Sequence, residues 1–124
     1  MEPLRFTCEE CGRAAGSLEL IEPTDEPRHP GDLGHDHWRL DVQGPVPTTH
    51  WILRNADELR HALADGSVEE LAAINPEYVN FWCRECRAVY CTDHWQPIKP
   101  TRDEGFYDLT YGTCPQGHRV VLDD

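Results

Sequence analysis

Lysine appears once, at Lys99, and methionine once, at Met1. Basic charge is scarce altogether: eleven Lys and Arg stand against twenty-three Asp and Glu, for a formal charge of -12 at pH 7. A field of that sign repels phosphate backbones and anionic headgroups, so no nucleic acid and no membrane is expected as a partner, and a basic protein surface is. Long apolar runs are missing too. Residues 71–74 make one of the longest, far short of the ~18 that cross a bilayer as a helix. The opening MEPLRFTCEECG also lacks the basic flank and apolar centre of a secretory signal. Both absences lead to the expectation of a cytoplasmic protein. Large aromatics are few, with three Phe, four Trp and four Tyr among 124 residues, against ten Pro and nine Gly. A chain of this length fits a single domain, 1–124, whose thin core calls for a further source of stability. With no Gly-rich phosphate loop and no nucleophile elbow, enzyme motifs are absent, and the length excludes a multidomain enzyme.

What the chain does have is six cysteines, each in a close pair: Cys8 with Cys11, Cys83 with Cys86, Cys91 with His94, and Cys114 with His118. Thiolate and imidazole donors at such spacings bend onto one ion, and four of them complete the tetrahedral shell that zinc favours. Eight donors make two sites. Joining either Cys–Cys pair to either Cys–His pair gives Cys3His, a closed shell with no position for water, which marks a structural ion. Two structural Zn2+ ions are therefore the expected cofactors, each able to contribute an apparent ~10–16 kcal/mol to folding. Three disulfides would leave His94 and His118 without a role, a redox pair would need a strand-to-helix setting, and an iron–sulfur cluster favours all-cysteine ligation.

Which pairs share an ion is left open by spacing. One reading joins Cys83, Cys86, Cys91 and His94 into a local site and brings the two ends of the chain together at the other. The segment CRECRAVYCTDH, from Cys83 to His94, resembles the central stretch of FYVE-type zinc fingers, CRxCGxxFCxxC. In that family and the wider RING-like cross-brace group, the first pair shares an ion with the third and the second with the fourth. The resemblance thus implies one site from Cys8, Cys11, Cys91 and His94, and another from Cys83, Cys86, Cys114 and His118. It does not extend to phosphoinositide recognition, because Tyr78-Val79-Asn80-Phe81-Trp82 stands where that family carries a basic cluster, and only Arg84 matches. Between the first and second pairs lies a long insertion, about 12–82.

Coarse patterning predicts an α+β fold with short antiparallel strands and two short helices. Strands are expected over residues 17–22, 38–43, 51–53, 106–111 and 119–122. Asn55 or Asp57 can cap a helix running to about Ala64 with Gly66 as its stop, and Ser67 with Glu70 opens a second helix over 68–74, ended by Asn75 and Pro76. Residues 78–82 read as extended and 96–104 as a Pro-broken loop. His29, His35 and His37, with Asp32 and Asp36, are the other concentration of donors. They give the alternative of a metal-dependent hydrolase, although nothing local supplies a third ligand and a base. The expected function is a non-catalytic protein-interaction or adaptor module, of which an E3-like ubiquitin-system adaptor is the sharper version.

Overall fold

Leu18 and Leu20, then Leu40 and Val42, recur at every second position, the period that places side chains on one face of a pleated sheet. In the computed structural model, which describes residues 3–24 and 36–124, they lie on a four-stranded antiparallel meander. Its strands are β1 (Leu4–Thr7), β2 (Ala14–Ile21), β3 (Trp38–Gln43) and β4 (Thr48–Ile52), in that order. Leu18 pairs with Val42 and Leu20 with Leu40, and all four side chains are buried. Strand β4 starts earlier than the expected 51–53, and Leu53 is exposed beyond its end. Strand β1, which the sequence pattern does not announce, is held by pairing with β2.

Two helices follow. In α1 (Ala56–Asp65), Leu59, Ala62 and Leu63 are buried, and the Gly66 N–H bonds back to the carbonyls of Ala62 and Leu63. Asn55 occupies the cap position with φ 58° and makes no side-chain cap, while Asp57 lies inside the first turn, where its charge favours the helix dipole. In α2 (Val68–Ile74) the expected cap forms: Ser67 Oγ accepts the Glu70 N–H at 3.3 Å, and Leu71 is buried. Residues 78–82 are not one extended segment. Pro76 fixes the entry to a 3-10 turn over Pro76–Val79, whose start is closed by the Asn75 side chain accepting the Glu77 N–H. Only then does the chain extend as β5 (Trp82–Cys83), paired with β6 (Ala88–Val89).

A second correction concerns 96–104. Most of it is a strand, β7 (Ile98–Asp103), followed by β8 (Phe106–Thr113) and β9 (Arg119–Asp123) in a three-stranded antiparallel sheet ordered β7-β8-β9. Pro100 is tolerated because β7 is an edge strand, to which proline within sheets is largely confined, and the pairing is irregular between Pro100 and Arg102. The described residues thus form an α+β arrangement of nine short antiparallel strands and two helices.

Two aromatic side chains join the parts. Phe81, fully buried, lies over Gly16 of β2, where a Cβ would fall 2.7 Å from its Cγ, and its ring sits 5.3 Å from that of Phe6. Trp95, also fully buried, donates its Nε1–H to the carbonyls of Phe81 (3.2 Å) and Tyr90 (2.9 Å). Phe81, Tyr90 and Trp95 flank the cysteine pairs in sequence, so the same contacts that close the core also set the positions of the knuckles.

Candidate metal centres

A CxxC pair converges when the chain turns back within one residue of its second cysteine. At the first knuckle Gly12 takes φ +73°, its N–H bonds to the Cys8 carbonyl at 2.8 Å, and the Cys8 N–H bonds to the Arg13 carbonyl at 2.7 Å. At the second, Arg87 holds the corresponding position with φ +53°, and the Cys86 N–H points at Cys83 Sγ, 3.5 Å away. Cys91 and His94 are brought together by the 3-10 turn Thr92–His94. Cys114 and His118 face each other across a turn in which the Cys114 N–H bonds to the His118 carbonyl at 2.9 Å. One bond carries the first knuckle onto the later ones: the Glu9 N–H reaches the Val89 carbonyl at 2.8 Å, two residues before Cys91.

These turns assemble two groups, Cys8, Cys11, Cys91 and His94, and Cys83, Cys86, Cys114 and His118, and within each the donor atoms lie within 4.8 Å of one another. The local grouping of Cys83, Cys86, Cys91 and His94 is not formed. A tetrahedron of zinc with thiolates at ~2.3 Å and imidazole at ~2.0–2.1 Å has S–S edges of ~3.8 Å and S–N edges of ~3.6 Å. The first group has Cys11 Sγ–Cys91 Sγ at 3.7 Å, Cys8 Sγ–His94 Nδ1 at 3.5 Å and Cys91 Sγ–His94 Nδ1 at 3.1 Å. The second has Cys86 Sγ–Cys114 Sγ at 3.7 Å, with His118 Nδ1 at 3.7, 3.3 and 3.3 Å from the sulfurs of Cys83, Cys86 and Cys114. All six thiols are free, and separations of this size exceed the ~2.05 Å of a disulfide. The donor sets fit metal ions of zinc's size and geometry.

The sulfurs differ in environment. The Arg13 N–H beside exposed Cys11 draws its thiol down to about 6, helped by the Arg13 side chain. Burial instead pushes Cys83 up to about 11 and raises Cys91 as well. At Cys114 burial also opposes ionisation, but the N–H groups of His118 and Gln116 outweigh it and the thiol is lowered. A divalent cation supplies the charge that lets the buried thiols ionise, which couples metal binding to folding.

The chain matches, over residues 1–124, the family described as Domain of unknown function (DUF8328). It belongs to that family. No curated protein and no solved structure matches it. The DUF8328 match spans all eight donors, both helices and every described strand.

Of the remaining residues singled out from sequence, His29, His35 and Asp32 lie outside the described residues, while Asp36 and His37 are exposed. Among the aromatic residues near the later donors, Tyr90 and Trp95 are core, whereas Phe106 and Tyr107 are exposed at 77% and 46%. Two residues near the donors carry no ligand signal in the sequence. Arg13 acts on Cys11 through its main chain and its guanidinium, and the left-handed conformation of Arg87 is legible only by aligning its knuckle with CEECG, where Gly12 stands. No described helix is long and apolar enough to cross a membrane.

Proposed function

We propose that this chain is a non-catalytic, cytoplasmic protein-interaction module built as a cross-brace around two structural Zn2+ ions. The observation that carries the reading is the interleaved grouping of the donors, each set drawn from two pairs remote in sequence and each closed by four protein atoms. Such a shell leaves no coordination position for water or substrate, so its ion organises the fold and activates nothing. The reading is supported by six cysteines that are free of disulfides, as in a reducing compartment. With both ions bound, six thiolates and two divalent cations add a net -2 to the formal -12. The holo surface favours a basic protein partner, with long-range attraction that fades as salt shortens the ~8 Å screening length of physiological buffer.

Elemental analysis of protein purified without added metal tests the core of this reading. Two zinc ions per chain are expected, and a value near zero in a folded protein would refute it. With cadmium-113 in place of zinc, NMR couplings from one metal to both Cys8 and Cys91 are expected. Couplings from one metal to both Cys86 and Cys91 would replace the cross-brace with the local grouping. Micromolar nucleic-acid binding at physiological salt would overturn the choice of partner.

A further inference from the structure

A cleft of about 330 Å³ runs beside the second knuckle. Apolar residues line it, among them Ala72 of α2, Pro76 and Val79 of the 3-10 turn, Trp82, and Val120 and Val121 of β9, together with the polar Asn80 and the basic Arg84 and Arg87. Two consecutive strand residues point to opposite faces of a sheet, so a cleft lined by both lies along the edge of β9 and not over one face. That edge is unpaired among the described residues, because β8 is the one strand hydrogen-bonded to β9.

Two guanidiniums line the same cleft. Arg84 and Arg87 are both exposed, and neither forms an ion pair among the described residues, in a chain with twice as many acidic as basic residues. Arg87 also occupies a backbone conformation that costs energy. Its φ is +53°, whereas the equivalent position of the first knuckle is Gly12 at +73° and the last knuckle turns at Gly117 with φ +89°. Knuckle geometry alone asks for glycine there.

We propose that this cleft binds an extended segment of a partner protein that pairs with the β9 edge, lays an aliphatic side chain against the apolar lining and places the adjacent carboxylate between Arg84 and Arg87. The strand edge supplies main-chain hydrogen bonds, the lining selects an apolar side chain, and the two guanidiniums select a single carboxylate. The acidic molecule around the cleft, including Glu69 at its rim, excludes polyanions and accommodates basic residues flanking that carboxylate. The proposal rests on the interaction-module reading and names the segment that such a module would take.

The test uses the zinc-loaded full chain, followed by proton–nitrogen NMR, and two capped hexapeptides, Lys-Val-Leu-Asp-Val-Lys and its Asn counterpart. The Asp peptide should cause saturable shifts at the Val120 and Val121 amides and the Trp82 indole, and the Asn peptide should bind roughly tenfold more weakly. Arg87→Gly should keep two zinc ions and an equal or higher melting temperature, yet lose about tenfold in affinity for the Asp peptide. No saturable shift, equal affinity for both peptides, or unchanged binding by Arg87→Gly would overturn the proposal. So would binding to vesicles carrying phosphatidylinositol 3-phosphate in preference to the peptide. Metal content separates the two readings: two zinc ions without peptide binding defeats the cleft alone.

Discussion

Gly16→Ala adds one methyl group at the place where the first sheet meets the second knuckle. The new Cβ would lie 2.7 Å from Phe81 Cγ and closer still to other ring atoms, so the ring must move. It has little room, because the tilted Phe6 ring lies 5.3 Å away, the Gly44 backbone is close enough that a Cβ there would meet the ring's Cδ1 at 3.1 Å, and the Phe81 carbonyl accepts from both the Tyr90 N–H and Trp95 Nε1–H. Replacing a strand glycine by alanine gains ~0.5–1 kcal/mol in backbone terms, while overpacking a closed core costs ~1–3 kcal/mol. Expelling the ring altogether sets a ceiling near the ~3–5 kcal/mol lost when a core Phe is truncated. The overpacking term wins, and a net loss of about 1–2 kcal/mol is expected.

Urea unfolding of the zinc-loaded protein, at one fixed free-zinc concentration, reads this loss as a lower midpoint with an unchanged slope. The same substitution in a Phe81→Leu background separates steric conflict from any general effect of alanine in β2. There the ring is gone, so Gly16→Ala should cost less than ~0.5 kcal/mol, and the two changes should be strongly non-additive. A single-variant loss below ~0.5 kcal/mol, or additivity of the pair, would refute the claim that Phe81 is clamped over Gly16.

Cys8→Ser should reduce the zinc content from two ions to one and broaden the NMR signals of Cys91 and His94, leaving those of Cys114 and His118 in place; loss of the second centre instead would contradict the grouping. Ser67→Ala removes the acceptor for the Glu70 N–H and should cost ~1 kcal/mol in urea melts, with Ser67→Gly costing less. His50, half-buried with its Nε2 2.9 Å from Thr48 Oγ1 and its ring 5.0 Å from that of Tyr78, is held below its usual 6.5 by burial, against the opposing carboxylates of Glu77 and Asp123. Its unfolded form takes up a proton below about pH 6.5 while the folded form resists, so this contribution is complete above that pH and declines as the pH falls toward the lowered folded value. The stability difference between wild type and His50→Gln, measured at fixed free zinc, should be flat above about pH 7 and shrink below about pH 6.5; a difference independent of pH would show that His50 is not held neutral by burial.

The eight donors were legible because no cysteine is spent elsewhere and because Cys–His pairs at such short spacing have few other uses. Helix ends were legible for a related reason: Ser67 with Glu70, and Gly66 after α1, act within one turn and need nothing distant. Strands β1 and β7 were not. β1 offers Leu4 and Phe6 alone to the core, and β7 contains Pro100, so each is defined by its neighbour in the sheet and not by its own pattern. Residues 78–82 misled for the opposite reason, because Tyr78 and Val79 are good strand formers overridden by the local cap from Asn75 and the fixed φ of Pro76. The grouping of pairs was beyond spacing altogether, since either alternative gives Cys3His. Contacts such as that between the Glu9 N–H and the Val89 carbonyl carry the distinction.

The long insertion becomes intelligible once the grouping is known. Cys11 and Cys91 are 80 positions apart and Cys86 and Cys114 are 28 apart. Closure entropy grows only with the logarithm of loop length, by ~0.6 kcal/mol per doubling, so the longer span costs about 1 kcal/mol more than the shorter. That is small beside the ~10–16 kcal/mol apparent contribution of a structural zinc. Residues 12–82 can therefore lie between the first two pairs at little expense to the centres, provided they fold against them. The described residues of that span do so through Phe81, which lies over Gly16 of β2, and through Leu59, Leu63 and Leu71 of the helices, which share the buried core. What the insertion adds is surface: α2 and the 3-10 turn contribute Ala72, Pro76 and Val79 to the same cleft that Arg84 and Arg87 line. A pair of knuckles without the insertion would present the guanidiniums and the β9 edge with nothing beside them to hold an apolar side chain. The knuckles position the charges, and the inserted unit turns that position into a cleft.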